Sequence, residues 1–106
     1  MDNLPILLDV RDRRTLVVGN GVVAARKADL VLRAGSRVTI VTPELGDELE
    51  RLREQYPFEH KTGPLCAEDL SDCVVVFGCS ADDDINQQLC RLAAEAGIMV
   101  NVPDQL

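Results

Sequence analysis

Short β-branched apolar runs alternate along this chain with longer stretches whose apolar residues recur at helical spacing. Thr15-Leu16-Val17-Val18, Val38-Thr39-Ile40-Val41 and Val74-Val75-Val76-Phe77 have the character of buried strands. Residues 22–34 predict a helix, with Ala24, Ala28, Val31 and Leu32 on one side, Arg26, Lys27, Asp29 and Arg33 on the other, and Gly35 as its stop. Residues 44–54 predict a second helix through Leu45, Leu49 and Leu52, ended by Pro57. Phe58-Glu59-His60-Lys61 reads as a short strand, and residues 65–72 as a loop. Asp82-Asp83-Asp84 opens a third helix with an apolar stripe of Ile85, Leu89, Leu92, Ala93 and Ala96. Carboxylates suit a helix N-terminus, where unsatisfied amides and the macrodipole favour negative charge. Gly97 closes that helix, and Ile98-Met99-Val100 is the last strand. Residues 4–10 predict a short extended segment at the start.

Strands alternating with amphipathic helices imply parallel βαβ units with right-handed crossovers. Near-continuous apolar strands are those covered on both faces. The expected fold is therefore α/β: a doubly wound parallel sheet, Rossmann-like, of about five strands with helices on both faces. The length, 106 residues, fits one domain spanning 1–106.

Composition narrows the function classes. The chain is 46% hydrophobic but only 3% aromatic, so its core is aliphatic. Eighteen acids against eleven Lys and Arg give a net charge of −7, which argues against a nucleic-acid partner. The apolar runs at residues 4–8 and 74–78 fall far short of the ~20 residues a membrane-spanning helix needs. Asp2 stands where a signal peptide would carry positive charge, and the expected compartment is the cytoplasm. Cys66, Cys73, Cys79 and Cys90 contain no Cys-x-x-Cys pair, and His60 is the only histidine. They are expected to be free, buried or half-buried thiols, with no metal site. His60 is expected to be an exposed strand-end residue.

One motif carries chemistry. Gly19-Asn20-Gly21-Val22-Val23-Ala24 fits Gly-x-Gly-x-x-Gly/Ala, directly after the first strand and opening the first helix. Gly19 permits the tight turn, Gly21 lets the backbone approach a pyrophosphate, and Ala24 allows close helix–sheet packing. The first carboxylate after the second strand is Glu44, 23 residues beyond Gly21, close to the ~20-residue interval of a ribose-binding acid. Glu44 serves equally well as a helix N-terminal acid. No Arg or Lys lies between Val38 and Arg51 to receive a 2′-phosphate, which favours NAD over NADP. Gly78 and Ser80, after the fourth strand, are expected to line the same crevice. Asn101-Val102-Pro103-Asp104 follows the last strand, so Asp104 is either a crevice acid or an ordinary terminal-loop residue.

Taken together, these segments resemble precorrin-2 dehydrogenase, the N-terminal dinucleotide-binding part of siroheme synthase. The resemblance rests on Met1-Asp2-Asn3-Leu4-Pro5-Ile6, the glycine motif continued by Ala25-Arg26-Lys27, Ala34-Gly35-Ser36-Arg37-Val38-Thr39, Thr42-Pro43-Glu44-Leu45, Asp82-Asp83 with Asn86, and Asn101-Val102 with Asp104. It implies NAD-dependent oxidation of precorrin-2 to sirohydrochlorin on the route to siroheme; some members also insert ferrous iron. It implies cofactor contacts at Gly19, Asn20, Gly21, Val22, Val23, Thr42, Pro43, Glu44 and Ser80. Asp104 matches the aspartate implicated in proton abstraction, and a homodimer is the family habit. Ala81 departs from the Asp usual at its position. Family enzymes continue past the position of Asp104 into a dimerisation region and a helical domain that help enclose the tetrapyrrole, so the 106 residues alone are expected to be inactive. The alternative is a nucleotide-binding or interaction module without catalysis.

Overall fold

The computed structural model describes residues 7–103. Five strands form one parallel sheet: β1 (Arg14–Gly19), β2 (Arg37–Val41), β3 (Glu59–Lys61), β4 (Cys73–Cys79) and β5 (Met99–Asn101), in the order β3-β2-β1-β4-β5. The connecting helices are α1 (Gly21–Arg33), α2 (Asp47–Gln55) and α3 (Asp83–Ala96), with a 3₁₀ turn at Ala67–Leu70 before β4. The chain moves outward from β1 to β3, returns to place β4 beside β1, and moves outward again to β5. The strand order thus reverses between β1 and β4.

Alternation along the strands divides the core in two. Val17, Val38, Ile40, Val75 and Phe77 meet Ala24, Ala28, Val31 and Leu32 of α1 and Leu49 and Leu52 of α2. Leu16, Val18, Val41 and Val76 meet Leu89 and Ala93 of α3, with Leu65 and Leu70 from the β3–β4 connection. Burying both faces is what the aliphatic strands require: exposing either one would forfeit ~25 cal/mol for each Å² of apolar surface. The doubly wound, Rossmann-like fold expected from the sequence is the one observed. None of the described helices is long and apolar enough to cross a membrane.

Local departures have identifiable causes. Residues 44–46 do not join α2, because the Gly46 N–H donates to Asn20 Oδ1 (2.9 Å) and the Glu44 carbonyl accepts from Thr42 Oγ1 (3.2 Å). Residues 67–70 are helical rather than loop, because Asp69 Oδ2 accepts the Cys66 N–H at 2.9 Å and the Cys66 side chain in turn accepts the Asp69 N–H. Cys66 is exposed, contrary to expectation; Cys73 and Cys79 are buried and Cys90 half-buried. His60 is half-buried, not an exposed strand end, since its Nε2 lies 2.8 Å from the Thr42 carbonyl oxygen, to which it donates. Of the expected opening segment, residues 7–10 carry no strand, and residues 4–6 lie outside the described residues.

Candidate functional site

The carboxyl ends of the strands surround a crevice of about 580 Å³. Its position at the β1/β4 reversal is where open α/β sheets receive ligands. Gly19 and Asn20 come from the β1–α1 turn, Thr42 and Pro43 from the tip of β2, and Ser80, Ala81 and Asp82 from the β4–α3 turn. Thr62, Gly63, Pro64 and Leu65 form the opposite wall. A depression of about 670 Å³ lies instead at the amino ends of β1–β3, around Arg14, Arg37 and Glu59. The glycine turn does not reach it, so the carboxyl-edge crevice is the better candidate.

The two motif glycines differ in what surrounds them. Gly19 has φ +132°, and a Cβ there would stand 2.4 Å from the carbonyl carbon and oxygen of Cys79 and 2.6 Å from the Ser80 nitrogen. The β1 turn therefore rests directly on the Cys79–Ser80 peptide. Gly21 has φ +89°, and a Cβ there would meet nothing within 4 Å. Open space at the first residue of α1 is what phosphate approach to its amides requires. Charge agrees. The first turn of α2 carries Asp47, Glu48 and Glu50, and that of α3 carries Asp83 and Asp84, whereas α1 has no acid in its first turn and no side-chain cap. Its N-terminal amides and dipole thus remain available to an anion.

Among the residues expected to hold cofactor, Gly19, Asn20, Thr42, Pro43 and Ser80 are brought together around the crevice. Gly21 begins α1 beside Asn20. Val22 and Val23 are 53% and 39% exposed on the first turn of α1, and Val22 lines a groove shared with α2 rather than the crevice. Glu44 is exposed and is not among the crevice-lining residues; only its backbone carbonyl is engaged, by Thr42. The Asn20 amide oxygen is occupied by the Gly46 N–H, which ties the glycine turn to the β2–α2 loop. Asp104 lies outside the described residues.

Several crevice residues carried no recognised signal in the sequence. The 62–65 wall is held by Lys61 Nζ, which donates to the Pro64 carbonyl at 3.0 Å, and by Gln88 Nε2, 3.3 Å from the Leu65 carbonyl. Lys61 also donates to both Asp69 oxygens, at 2.8 and 2.7 Å. That hydrogen bond, aided by the Asp69 charge, raises the lysine pKa above its ordinary value and keeps the ammonium turned to this wall. Burial pushes the Cys79 thiol up to about 11, only partly offset by Lys27, so it is a neutral packing group beneath the glycine turn. Among the described residues, no group of three or more His, Cys, Asp and Glu side chains could hold a metal ion.

Residues 6–106 match a protein-family model described as "Putative NAD(P)-binding". The chain belongs to this family. Within the NAD(P)-binding family its relatives include the siroheme synthase of Nitrosospira multiformis, 42% identical over 98% of this chain and 23% of its own length. The siroheme synthase of Thioalkalivibrio sulfidiphilus is 39% identical over 99% of this chain and 22% of its own. The chain therefore spans under a quarter of the length of these curated relatives. Among solved structures, the precorrin-2 dehydrogenase SirC superposes with a TM-score of 0.82 at 24% identity, over 98% of this chain and 54% of that one. Shikimate dehydrogenase from Aquifex aeolicus shares the fold more distantly, with a TM-score of 0.56 and 17% identity over 89% of this chain and 43% of its own.

Proposed function

We propose that this chain is the NAD-binding domain of a precorrin-2 dehydrogenase, oxidising precorrin-2 to sirohydrochlorin in siroheme biosynthesis. The observation that carries the reading is the turn at the reversal point. Gly19 is pressed onto the Cys79–Ser80 peptide while the Cβ side of Gly21 stays open above an acid-free helix start. Similarity to siroheme synthases over 98–99% of this chain, and 22–23% of their own length, supports the substrate class.

In this reading the first-turn amides of α1 bind the pyrophosphate, and Thr42 and Pro43 flank the adenosine side. Ser80 and the β4–α3 turn form the wall toward the nicotinamide. Bound NAD supplies the hydride acceptor. NAD is favoured over NADP because Lys61, the cation next to the β2 tip, is held by Asp69 and the Pro64 carbonyl. Val22, Val23 and Glu44 remain peripheral candidates for cofactor contact, at the helix start and the β2–α2 loop. Asp104 is assigned the proton that leaves the macrocycle with the hydride. β5 ends at Asn101, and the described chain runs on through Val102, whose Cγ2 would stand 3.2 Å from a Cβ at Gly78. The complete enzyme is a cytoplasmic homodimer, its four free cysteines fitting a reducing compartment.

Calorimetric titration with NAD and NADP tests the cofactor, and NADH production from precorrin-2 tests the chemistry. The second assay uses the domain completed by the region that encloses the tetrapyrrole. Asp104→Ala should lower turnover by ~100- to 10,000-fold, with NAD affinity unchanged. Near-normal NADH production with Ala at 104 would remove Asp104 from the base role. Nucleotide binding with no turnover in the completed enzyme would mark a binding module instead.

A further inference from the structure

We infer that Asn86 is a positioning residue of the nucleotide crevice, its side-chain amide fixing the Ser80 backbone, and hence the Cys79–Ser80 peptide on which the glycine turn rests. The inference builds on the nucleotide-binding reading and assigns a role to a residue remote from the glycine motif.

Asn86 is 4% exposed and sits on the buried side of α3, next to Ile85 and one turn before Leu89. A buried amide must satisfy both ends of its dipole, and Asn86 does so on a single residue. Its Oδ1 accepts the Ser80 N–H at 3.0 Å, and its Nδ2 donates to the Ser80 carbonyl at 2.9 Å. The approach depends on Gly78, since a Cβ at that position would stand 3.1 Å from Oδ1. Gly19 packs on the other side of the same segment, with its missing Cβ 2.4 Å from the Cys79 carbonyl group. The peptide is gripped between an amide on α3 and the turn of β1. Ser80, itself a crevice residue, is thereby oriented without help from a ligand, which is how a site lowers the ordering cost of binding.

The chemistry of the grip is specific to an amide. A carboxylate of the same shape can accept from the Ser80 N–H, but its second oxygen then faces the Ser80 carbonyl. Asn86→Asp should therefore bind NAD about 10-fold more weakly than the natural chain near pH 8, the fold-change of one lost buried hydrogen bond. Burial and the facing carbonyl raise the introduced carboxyl, and its protonated form can donate again. The affinity gap should close as pH falls toward about 5.5. The titratable and charged groups around the turn are Asp82 just before α3, Asp83 and Asp84 on α3, Cys79 on β4 and Lys27 on α1, and the natural chain titrated in parallel subtracts them. Leu89→Ala, which loosens the same helix without touching Ser80, should destabilise the fold yet leave NAD affinity with no such pH dependence.

A second measurement needs no variant. In the nucleotide-free natural chain the Ser80 amide should exchange with deuterium as slowly as the β4 amides. If it exchanges like an open loop and gains protection only with NAD, the preformed grip is refuted. If the natural chain binds NAD and Asn86→Asp binds equally at every pH, the positioning role is refuted while the nucleotide reading stands. If the natural chain binds no nucleotide, the nucleotide reading fails and this role fails with it.

Discussion

Replacing Gly19 by alanine places a methyl group 2.4 Å from the Cys79 carbonyl carbon and oxygen and 2.6 Å from the Ser80 nitrogen. All three atoms are backbone, at the carboxyl ends of two adjacent inner strands, so neither partner can rotate away. The clash forces β1 and β4 apart or twists the turn, and φ +132° is itself unfavourable for alanine. Overpacking and backbone strain together cost about 2–5 kcal/mol, a large share of the ~5–15 kcal/mol that holds a domain folded. Gly21→Ala bears only the strain of φ +89°, about 1–2 kcal/mol, because its methyl meets nothing within 4 Å. With a urea dependence near ~1.5 kcal/mol/M, the midpoint should fall by about 1–3 M for Gly19→Ala and by about 1 M for Gly21→Ala. NAD calorimetry on folded protein should reverse the ranking of interest. Gly21→Ala loses affinity by about 10- to 100-fold, because its methyl occupies the space assigned to phosphate. A Gly19→Ala midpoint matching the natural chain would refute the contact between turn and sheet. Undiminished NAD affinity in Gly21→Ala would refute the phosphate position.

Three further outcomes follow from single contacts. Burial alone would raise the Asp69 carboxyl, but the Lys61 ammonium and the Cys66 N–H outweigh it and hold the pKa below its ordinary value. The stability it contributes is fully present above the ordinary carboxylate range and lost as pH falls through the lower folded-state pKa. The urea-midpoint advantage over Asp69→Asn should therefore begin to shrink below about pH 5 and keep shrinking below the ordinary aspartate value. Asp82 Oδ1 accepts the Asp84 N–H at 2.9 Å at the start of α3, and Asp82→Ala should cost about 1 kcal/mol by the same assay. Iodoacetamide at neutral pH, followed by peptide mapping, should modify exposed Cys66 first and Cys73 and Cys79 last, since burial raises both buried thiols, Cys79 to about 11. Cys79 labelling at the rate of Cys66 would contradict the packing beneath the glycine turn.

The order and type of nearly every element were legible in the sequence, because they depend on near neighbours. Ala24, Ala28, Val31 and Leu32 repeat at the helical period, the β-branched runs at residues 15–18 and 38–41 suit strands, and Gly97 ends α3 where its pattern stops. The glycine motif was equally local: a turn between a strand and a helix needs only six consecutive residues. What the sequence could not contain was the partner of each polar group across the fold. The start of α2 moved because Asn20, 26 residues earlier, takes the Gly46 N–H. The same bond ties Asn20, itself a crevice residue, to the β2–α2 loop. His60 became half-buried because β3 pairs with β2 and brings its ring to the Thr42 carbonyl. Glu44 had the right interval from Gly21, yet interval fixes distance along the chain and not the direction of a side chain. Asn86 carried a faint signal, a polar residue on the apolar side of α3, but its meaning required β4 to lie beside β1 with Gly78 next to its last residue. Periodicity determines which face of an element is buried. Only the order of strands in the sheet decides which backbone each buried polar group meets there, because that order is set by packing among segments far apart in the chain.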